Sequence, residues 1–227
     1  MLYRLNIKMD SAIHGNINSN TIFGLICEAY KIKYGDEKLR ELLNGLVNST
    51  NELIVTNPLK VNTFEFEDME STAQINRITL DRLGNKNDLS MSQVKCINEF
   101  DVLIYTSLSE DVLNSIIKVC TILGIGSAKN VGFGTIKSIK LTAEKLRTRD
   151  GKTVRCMSNI FPSENTPVYG DIRFNVRHGI TSKGKEQSTL IMIEAGSEFI
   201  NSGIITTGQI VYDAKSDTYI NGKALLV

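Results

Sequence analysis

Residues 124–134 read Gly-Ile-Gly-Ser-Ala-Lys-Asn-Val-Gly-Phe-Gly, four glycines and one lysine in a single short span. No regular element sustains that composition, so the chain turns here, and the flanks of the turn constrain the fold. Residues 109–123 predict a helix, with Ser109 as N-cap, Glu110 and Asp111 complementing the dipole in the first turn, and Gly124 as the stop. Val112, Ile116, Val119, Cys120 and Leu123 form its apolar face. Residues 135–141 read as strand. A Walker loop opens a helix with Gly-Lys-Ser or Gly-Lys-Thr, and a dinucleotide fingerprint has a strand before its glycines and a helix after them. The order here is the reverse, which argues against nucleotide-cofactor binding at a helix N-terminus. Two readings remain for the loop: a tight turn with its own steric demands, or a backbone whose N–H groups lie close to an anionic oxygen such as a phosphate.

The rest of the chain places that loop in a layout. Tyr3, Leu5, Ile7 and Met9 alternate with Arg4, Asn6, Lys8 and Asp10, the period of a strand with one buried and one polar face. Ser19 or Asn20 is the expected cap of a helix bearing Ile22, Phe23, Ile26, Cys27 and Tyr30, and a second helix from Asp36 groups Leu39, Leu42, Leu43 and Leu46. Residues 53–56 read as a short strand, 57–98 as a long polar excursion with weak patterning, and 100–106 as a strand. Strand, helix, variable middle, strand, helix, strand is the layout of a ferredoxin-like, or RRM-like, domain. Its antiparallel sheet has helices on one face and leaves the other free to bind. From about residue 142 the chain is strand-rich. Val168, Gly170, Ile172, Phe174 and Val176 alternate with Tyr169, Asp171, Arg173, Asn175 and Arg177, residues 189–193 form an apolar strand expected to be more buried, and 209–212 with 218–220 form a closing hairpin. The expected fold is α+β. A ferredoxin-like domain spans 1–141 with an insertion at about 57–98, and a smaller β-rich domain, read as a degenerate second ferredoxin-like unit, spans 142–227 and packs on it.

Composition narrows the class. The 227 residues carry a net charge of +1, a weak credential for a nucleic-acid binder, although the distribution is uneven. Lys129, Lys137, Lys140, Lys145, Arg147, Arg149, Lys152 and Arg155 follow one another with only Glu144 and Asp150 opposing them. That run is either a solvated hairpin or a track for phosphates. Cys27, Cys96, Cys120 and Cys156 are far apart and make no C-x-x-C pair, which argues against a zinc site and a secreted disulfide scaffold. Arg4, Asn6, Lys8 and Asp10 interrupt any signal-peptide core, and no stretch approaches the roughly 20 apolar residues of a membrane span. A cytoplasmic protein without membrane association is expected.

Four collinear segments carry a family resemblance: residues 13–15 (Ile-His-Gly) with 19–27 (Ser-Asn-Thr-Ile-Phe-Gly-Leu-Ile-Cys), residues 76–84 (Asn-Arg-Ile-Thr-Leu-Asp-Arg-Leu-Gly), the glycine loop, and residues 193–199 (Ile-Glu-Ala-Gly-Ser-Glu-Phe) with 219–225 (Tyr-Ile-Asn-Gly-Lys-Ala-Leu). Together they span nearly the whole chain. They resemble the RAMP superfamily of CRISPR-associated proteins and, within it, the Cas-five-like family of fourth subunits of type III-A (Csm) effector complexes. The resemblance implies a subunit with no catalytic residues, metal or cofactor, which holds the repeat-derived 5′ tag of the CRISPR RNA. It also implies contact with the large polymerase-like subunit and with the RAMP backbone subunit. A single-stranded tag offers phosphates, 2′-hydroxyls and splayed bases.

Carried onto this sequence, the resemblance assigns RNA-backbone contacts to Gly124, Gly126, Gly132 and Gly134 and charge contacts to Lys129 and the following Lys137. Asn130 hydrogen-bonds a base edge or stabilises the turn. His14 meets the tag or is a loop histidine bonded to local backbone. Ser19 and Asn20 cap a helix or offer its N–H groups to a phosphate, and Arg77 and Arg82, in the middle excursion, bind phosphate or stay solvated. The chain is shorter than the family pattern and its loop is poorer in Lys and Arg. An endoribonuclease that processes repeat RNA, using His14 or His178 for general acid–base chemistry, is the enzyme alternative. An RRM-like module that contacts only protein is the third.

Overall fold

The computed structural model describes residues 1–67, 72–80, 86–127, 129, 132–145, 151–177 and 185–227, with 72–80 and 86–93 described by their backbone. The chain starts with β1 (Leu2–Met9), β2 (Ile13–His14), α1 (Ser19–Tyr34), α2 (Asp36–Val47) and β3 (Leu53–Val55). Next come β4 (Thr72–Leu80), β5 (Lys86–Lys95), β6 (Glu99–Thr106), α3 (Glu110–Leu123) and β7 (Ile136–Ala143). It ends with the short strands β8 (Thr153–Arg155), β9 (Gly170–Asp171), β10 (Phe174–Arg177), β11 (Leu190–Ile193) and β12 (Glu198–Ile200), then the longer β13 (Thr206–Asp213) and β14 (Thr218–Leu225).

The central sheet has the order β3-β6-β1-β7, with every neighbour antiparallel. The alternation in β1 sends Tyr3, Leu5, Ile7 and Met9 to one face, where they pack with Ile22, Phe23 and Ile26 of α1 and Leu113, Ile116 and Cys120 of α3. The buried face of α3 centres on Leu113, Ile116, Ile117 and Cys120, with Val112, Val119 and Leu123 at its margin, one position round from the stripe expected of the sequence. Ser109 caps this helix as expected, its Oγ accepting from the Val112 N–H at 3.4 Å.

The polar face of β1 is closed at one end only: Lys8 is exposed and Asn6 half-buried, while the Arg4 end is covered. Arg4 and Asp101 are buried, and residues 57–67 run across them: Arg4 Nη1 donates to Thr63 O, and the Asn62 N–H donates to Asp101 Oδ2. Beside them Leu2, Ile54 and Leu103 pack against Leu59, Met157, Leu225 and Val227. The expected free sheet face is therefore covered around Arg4 and Asp101, by the start of the middle excursion and by the C-terminus, and stays open around Lys8, Ser138 and Lys140. A strand that pairs charges across a sheet looks solvent-facing in sequence, because the partner, Asp101, lies 97 residues away.

The remainder of the excursion is an antiparallel hairpin of β4 and β5, in register from Thr72 opposite Lys95, and β5 also pairs with β2. In the C-terminal half the strand expected over 168–177 is split. Between β9 and β10 the Arg173 N–H donates to Ser197 Oγ and Arg173 O accepts from the Glu194 N–H, so this stretch bonds to a turn instead of a ladder. Phe174 and Val176 of β10 and Ile191 of β11 are exposed, whereas Met192 and Ile193 are buried, so β11 is covered at its C-terminal end only. The closing hairpin of β13 and β14 is longer than expected and fully paired, from Thr206 opposite Leu225 to Asp213 opposite Thr218. It docks on the first half: Tyr219 Oη donates to Asn44 Oδ1 and the Asn221 N–H to Asn20 Oδ1.

Candidate nucleic-acid interface

Residues 10–18 leave β1 at one edge of the sheet and turn into α1. The cap of that helix is Asn18, one position before the expected Ser19 or Asn20. Its Oδ1 accepts from the Thr21 N–H at 3.0 Å, and Thr21 Oγ1 accepts in return from the Asn18 N–H, a reciprocal capping box. Ser19 is buried, with its N–H donating to Asn57 Oδ1, and Asn20 is committed to the Asn221 N–H. Both expected RNA contacts therefore have structural partners.

The glycine loop is zipped to the same segment. The Gly134 N–H donates to Ala12 O, the Ser127 N–H to His14 O, the Thr135 N–H to Ser11 Oγ and, within the loop, the Ile125 N–H to Gly134 O. Gly134 stands at φ +67°, and a Cβ there would lie 1.8 Å from Ile125 O, so only glycine lets the two ends of the loop close. Gly124 faces Gly134 and Gly126 faces His14 O at similarly short range, whereas Gly132, at φ +89°, has open space beside it. The tight-turn reading accounts for three of the four glycines. Gly126 remains doubly useful, because its N–H donates to no described residue.

His14 sits on this zipper. Its Nδ1 is 2.6 Å from Ser127 Oγ, Ser127 Oγ in turn donates to His14 O at 3.0 Å, and the Phe133 ring lies 5.9 Å from the imidazole. Ser127 Oγ thus stands between the imidazole Nδ1 and the His14 carbonyl. Between the loop and α1 lies a crevice of about 290 Å3 lined by Thr21, Gly24, Glu28, Gly124, Gly126 and Lys129. Lys129 Nζ stands 3.8 Å from Glu28 Oε2, a loose and largely exposed pair that holds the ammonium weakly.

His14, Gly124, Gly126 and Lys129 are thus together at one edge, next to the hairpin of β4 and β5 through the pairing of His14 with Val94. Arg77 belongs to β4, opposite Ser90. Arg82 and Asn130 lie outside the described residues. Lys137 and Lys140 are exposed on β7. Within the basic run, Arg155 pairs with Glu198 at 2.8 Å, and Glu144 is spent on Arg4 at 2.6 Å, so the acid expected to oppose the run does not. Sequence reasoning missed Ser127, Phe133 and Glu28. Ser127 and Phe133 were legible only as loop residues, and nothing in the sequence marks Glu28 as the partner of a lysine 101 positions away. Among the described residues no cluster of His, Cys, Asp and Glu could hold a metal ion, and no helix is long and apolar enough to cross a membrane.

By sequence, no family profile and no curated protein matches the chain. The fold defines its class first: a mixed α/β protein whose helices pack on one side of a central antiparallel sheet, with smaller sheets around it. The particular likeness is to solved chains of type III-A CRISPR complexes. One belongs to the crystal structure of the Csm3-Csm4 subcomplex in the type III-A CRISPR-Cas interference complex, with a TM-score of 0.68 and 12% identity over 99% of this chain and 98% of that one. Others belong to the Csm1-Csm4 cassette in complex with AMPPNP and with pppApA, each with a TM-score of 0.54 and 11% identity over 100% of this chain and 96% of that one. Csm4 is common to these structures, and the fold described here is Csm4-like along its whole length.

Proposed function

We propose that the chain is a non-catalytic subunit of a type III CRISPR effector complex, one that grips the 5′ tag of the CRISPR RNA and caps the assembly beside its large subunit. The order β3-β6-β1-β7, with α1 and α3 on one face, supports a ferredoxin-like reading of the first half. The observation that carries the function is the gathering of the glycine loop, the segment around His14 and the β4–β5 hairpin at one sheet edge, while the sheet face around Arg4 and Asp101 is covered. Recognition at this edge uses the Gly126 N–H, which donates to no described residue, the loosely held Lys129 ammonium and the open side of Gly132. These suit a phosphodiester thread, for which oriented amides and mobile cations are the usual ligands. The full-length likeness to chains of Csm3-Csm4 and Csm1-Csm4 structures supports partners of those two kinds.

The test is co-expression with the remaining subunits and a CRISPR array, followed by RNA recovery and a mobility shift with tagged and unrelated single strands. Lys129→Ala combined with Arg77→Ala is expected to weaken tag binding or assembly; retention of both at wild-type level refutes the proposal. A repeat-processing nuclease is the second reading, favoured by one observation: the His14 imidazole sits at the site with the Ser127 hydroxyl 2.6 Å from its Nδ1, side chains of the kind general acid–base chemistry uses. Cleavage of repeat RNA that disappears with His14→Ala would replace the first reading by the second.

A further inference from the structure

Lys223 belongs to the C-terminal motif of residues 219–225, which the tag-binding edge leaves unused, and it is only 7% exposed. Its ammonium has no hydrogen-bond or ion-pair partner among the described residues. It lines a half-enclosed cavity of about 160 Å3 between the turn after α2 and the β13–β14 hairpin, away from the glycine loop. Ser49, Ser163, Asn165 and Thr206 line the same cavity and bring hydroxyl and amide groups to its wall. Glu52 lies there too, beyond ion-pair distance of Lys223, and its charge acts on the ammonium across the cavity.

The stem of Lys223 is buried and its ammonium opens into this cavity, so a small anion that enters meets a cation that no ion pair among the described residues neutralises. Burial lowers the Lys223 pKa, with Glu52 acting in the opposite sense, as expected of a cation that lacks a close anion.

We infer that this cavity is an oxyanion site, in which Lys223 and the surrounding hydroxyl and amide groups take a phosphate, either free or as the terminal group of a nucleotide. The volume suits one tetrahedral anion and excludes a threaded RNA backbone, and the inference does not depend on the tag-binding proposal.

The test titrates the full-length protein with inorganic phosphate, at constant ionic strength set with chloride, and reads the thermal midpoint and the heat of binding. Adenosine monophosphate in a parallel arm separates a nucleotide's terminal phosphate from the free ion. The midpoint is expected to rise with phosphate and not with chloride. Lys223→Met is expected to lose about tenfold or more of the affinity, as one charge-assisted hydrogen bond would dictate. Glu52→Gln removes the nearby negative charge and is expected to tighten binding, so it decides the matter even where Lys223→Met fails to fold. Absence of a phosphate-specific shift in the wild type, an unchanged shift in Lys223→Met, or no tightening in Glu52→Gln overturns the inference and leaves a hydrated lysine.

Discussion

Replacing Arg4 by Met tests whether the covered sheet face is held by charge or by packing alone. The Arg4 side chain is 8% exposed and that of Asp101 is 0%, with Nη1 to Oδ2 at 2.9 Å; Nε reaches Glu144 at 2.6 Å and the guanidinium lies 5.2 Å over the Phe64 ring. Met keeps most of the apolar stem but leaves Asp101 with only the Asn6 amide and the Asn62 N–H as donors, at 2.8 and 2.6 Å. Removing one partner of a buried pair costs about 3–5 kcal/mol. For a chain of this size each kcal/mol moves the midpoint by ~2–4 °C, so a fall of about 6–20 °C is expected. The Arg4→Met/Asp101→Asn double variant removes the orphan charge, its amide oxygen accepting from the Asn62 N–H and its NH2 donating to the Asn6 amide oxygen once that amide turns over, so it is expected to recover more than about 1 kcal/mol relative to additivity. Urea denaturation of the wild type, both single variants and the double variant measures this cycle. An Arg4→Met change under about 1 kcal/mol, or strict additivity, would refute the view that residues 57–67 are anchored by this charge cluster.

Gly134→Ala, whose Cβ would meet Ile125 O at 1.8 Å, is expected to lower stability by at least ~2 kcal/mol and to abolish tag binding. Gly132→Ala has open space and carries only the left-handed backbone cost, about 1–2 kcal/mol, so denaturation midpoints should rank the two clearly. At pH 8 a thiol reagent is expected to modify exposed Cys96 well before Cys27, Cys120 and Cys156, whose burial pushes their pKa values up to about 12, about 12 and about 11; mass spectrometry of a timed quench reads this. Because the folded state favours the neutral thiols, their stabilisation is complete below the ordinary value of 9.0 and is lost progressively as pH rises from there toward 11–12. Asp213 behaves in the opposite sense. Hydrogen bonds from Ser216 and Ser188 hold it well below the usual carboxylate range, so its stabilisation is present at neutral pH and lost as pH falls through that range, and Asp213→Asn should flatten this part of the acid-denaturation curve.

Local signals were the most legible in the sequence. The alternation of β1, the leucine face of α2 and the Ser109 cap of α3 each depend on residues within a few positions, and the structure has them where the pattern put them, α3 being turned by one residue. The signals that failed depend on partners far along the chain. Arg4 reads as solvent-facing until Asp101 and Glu144 are brought beside it, and Ser19 and Asn20 read as caps until Asn57 and Asn221 claim them. The excursion over 57–98 has weak patterning because its first part covers charges and its hairpin pairs with a strand as short as β2.

The same distinction bears on the candidate site. Glycine spacing located the loop, but could not say whether its glycines serve a ligand or the loop itself, since both demands select the same residue. The geometry separates them: Gly124 and Gly134 are required by each other, and Gly126 by His14, before any ligand is considered. What remains for a ligand among the described loop and His14 residues is an N–H at Gly126, an ammonium at Lys129 and an imidazole at His14, three groups and few in number. So sparse a set gives weak affinity for a free strand, since each surface charge contact adds little on its own. It gives orientation once partner proteins supply the rest of the groove. The near-neutral net charge of +1 is consistent with the proposed function, in which partner subunits would share the grip on one end of a guide.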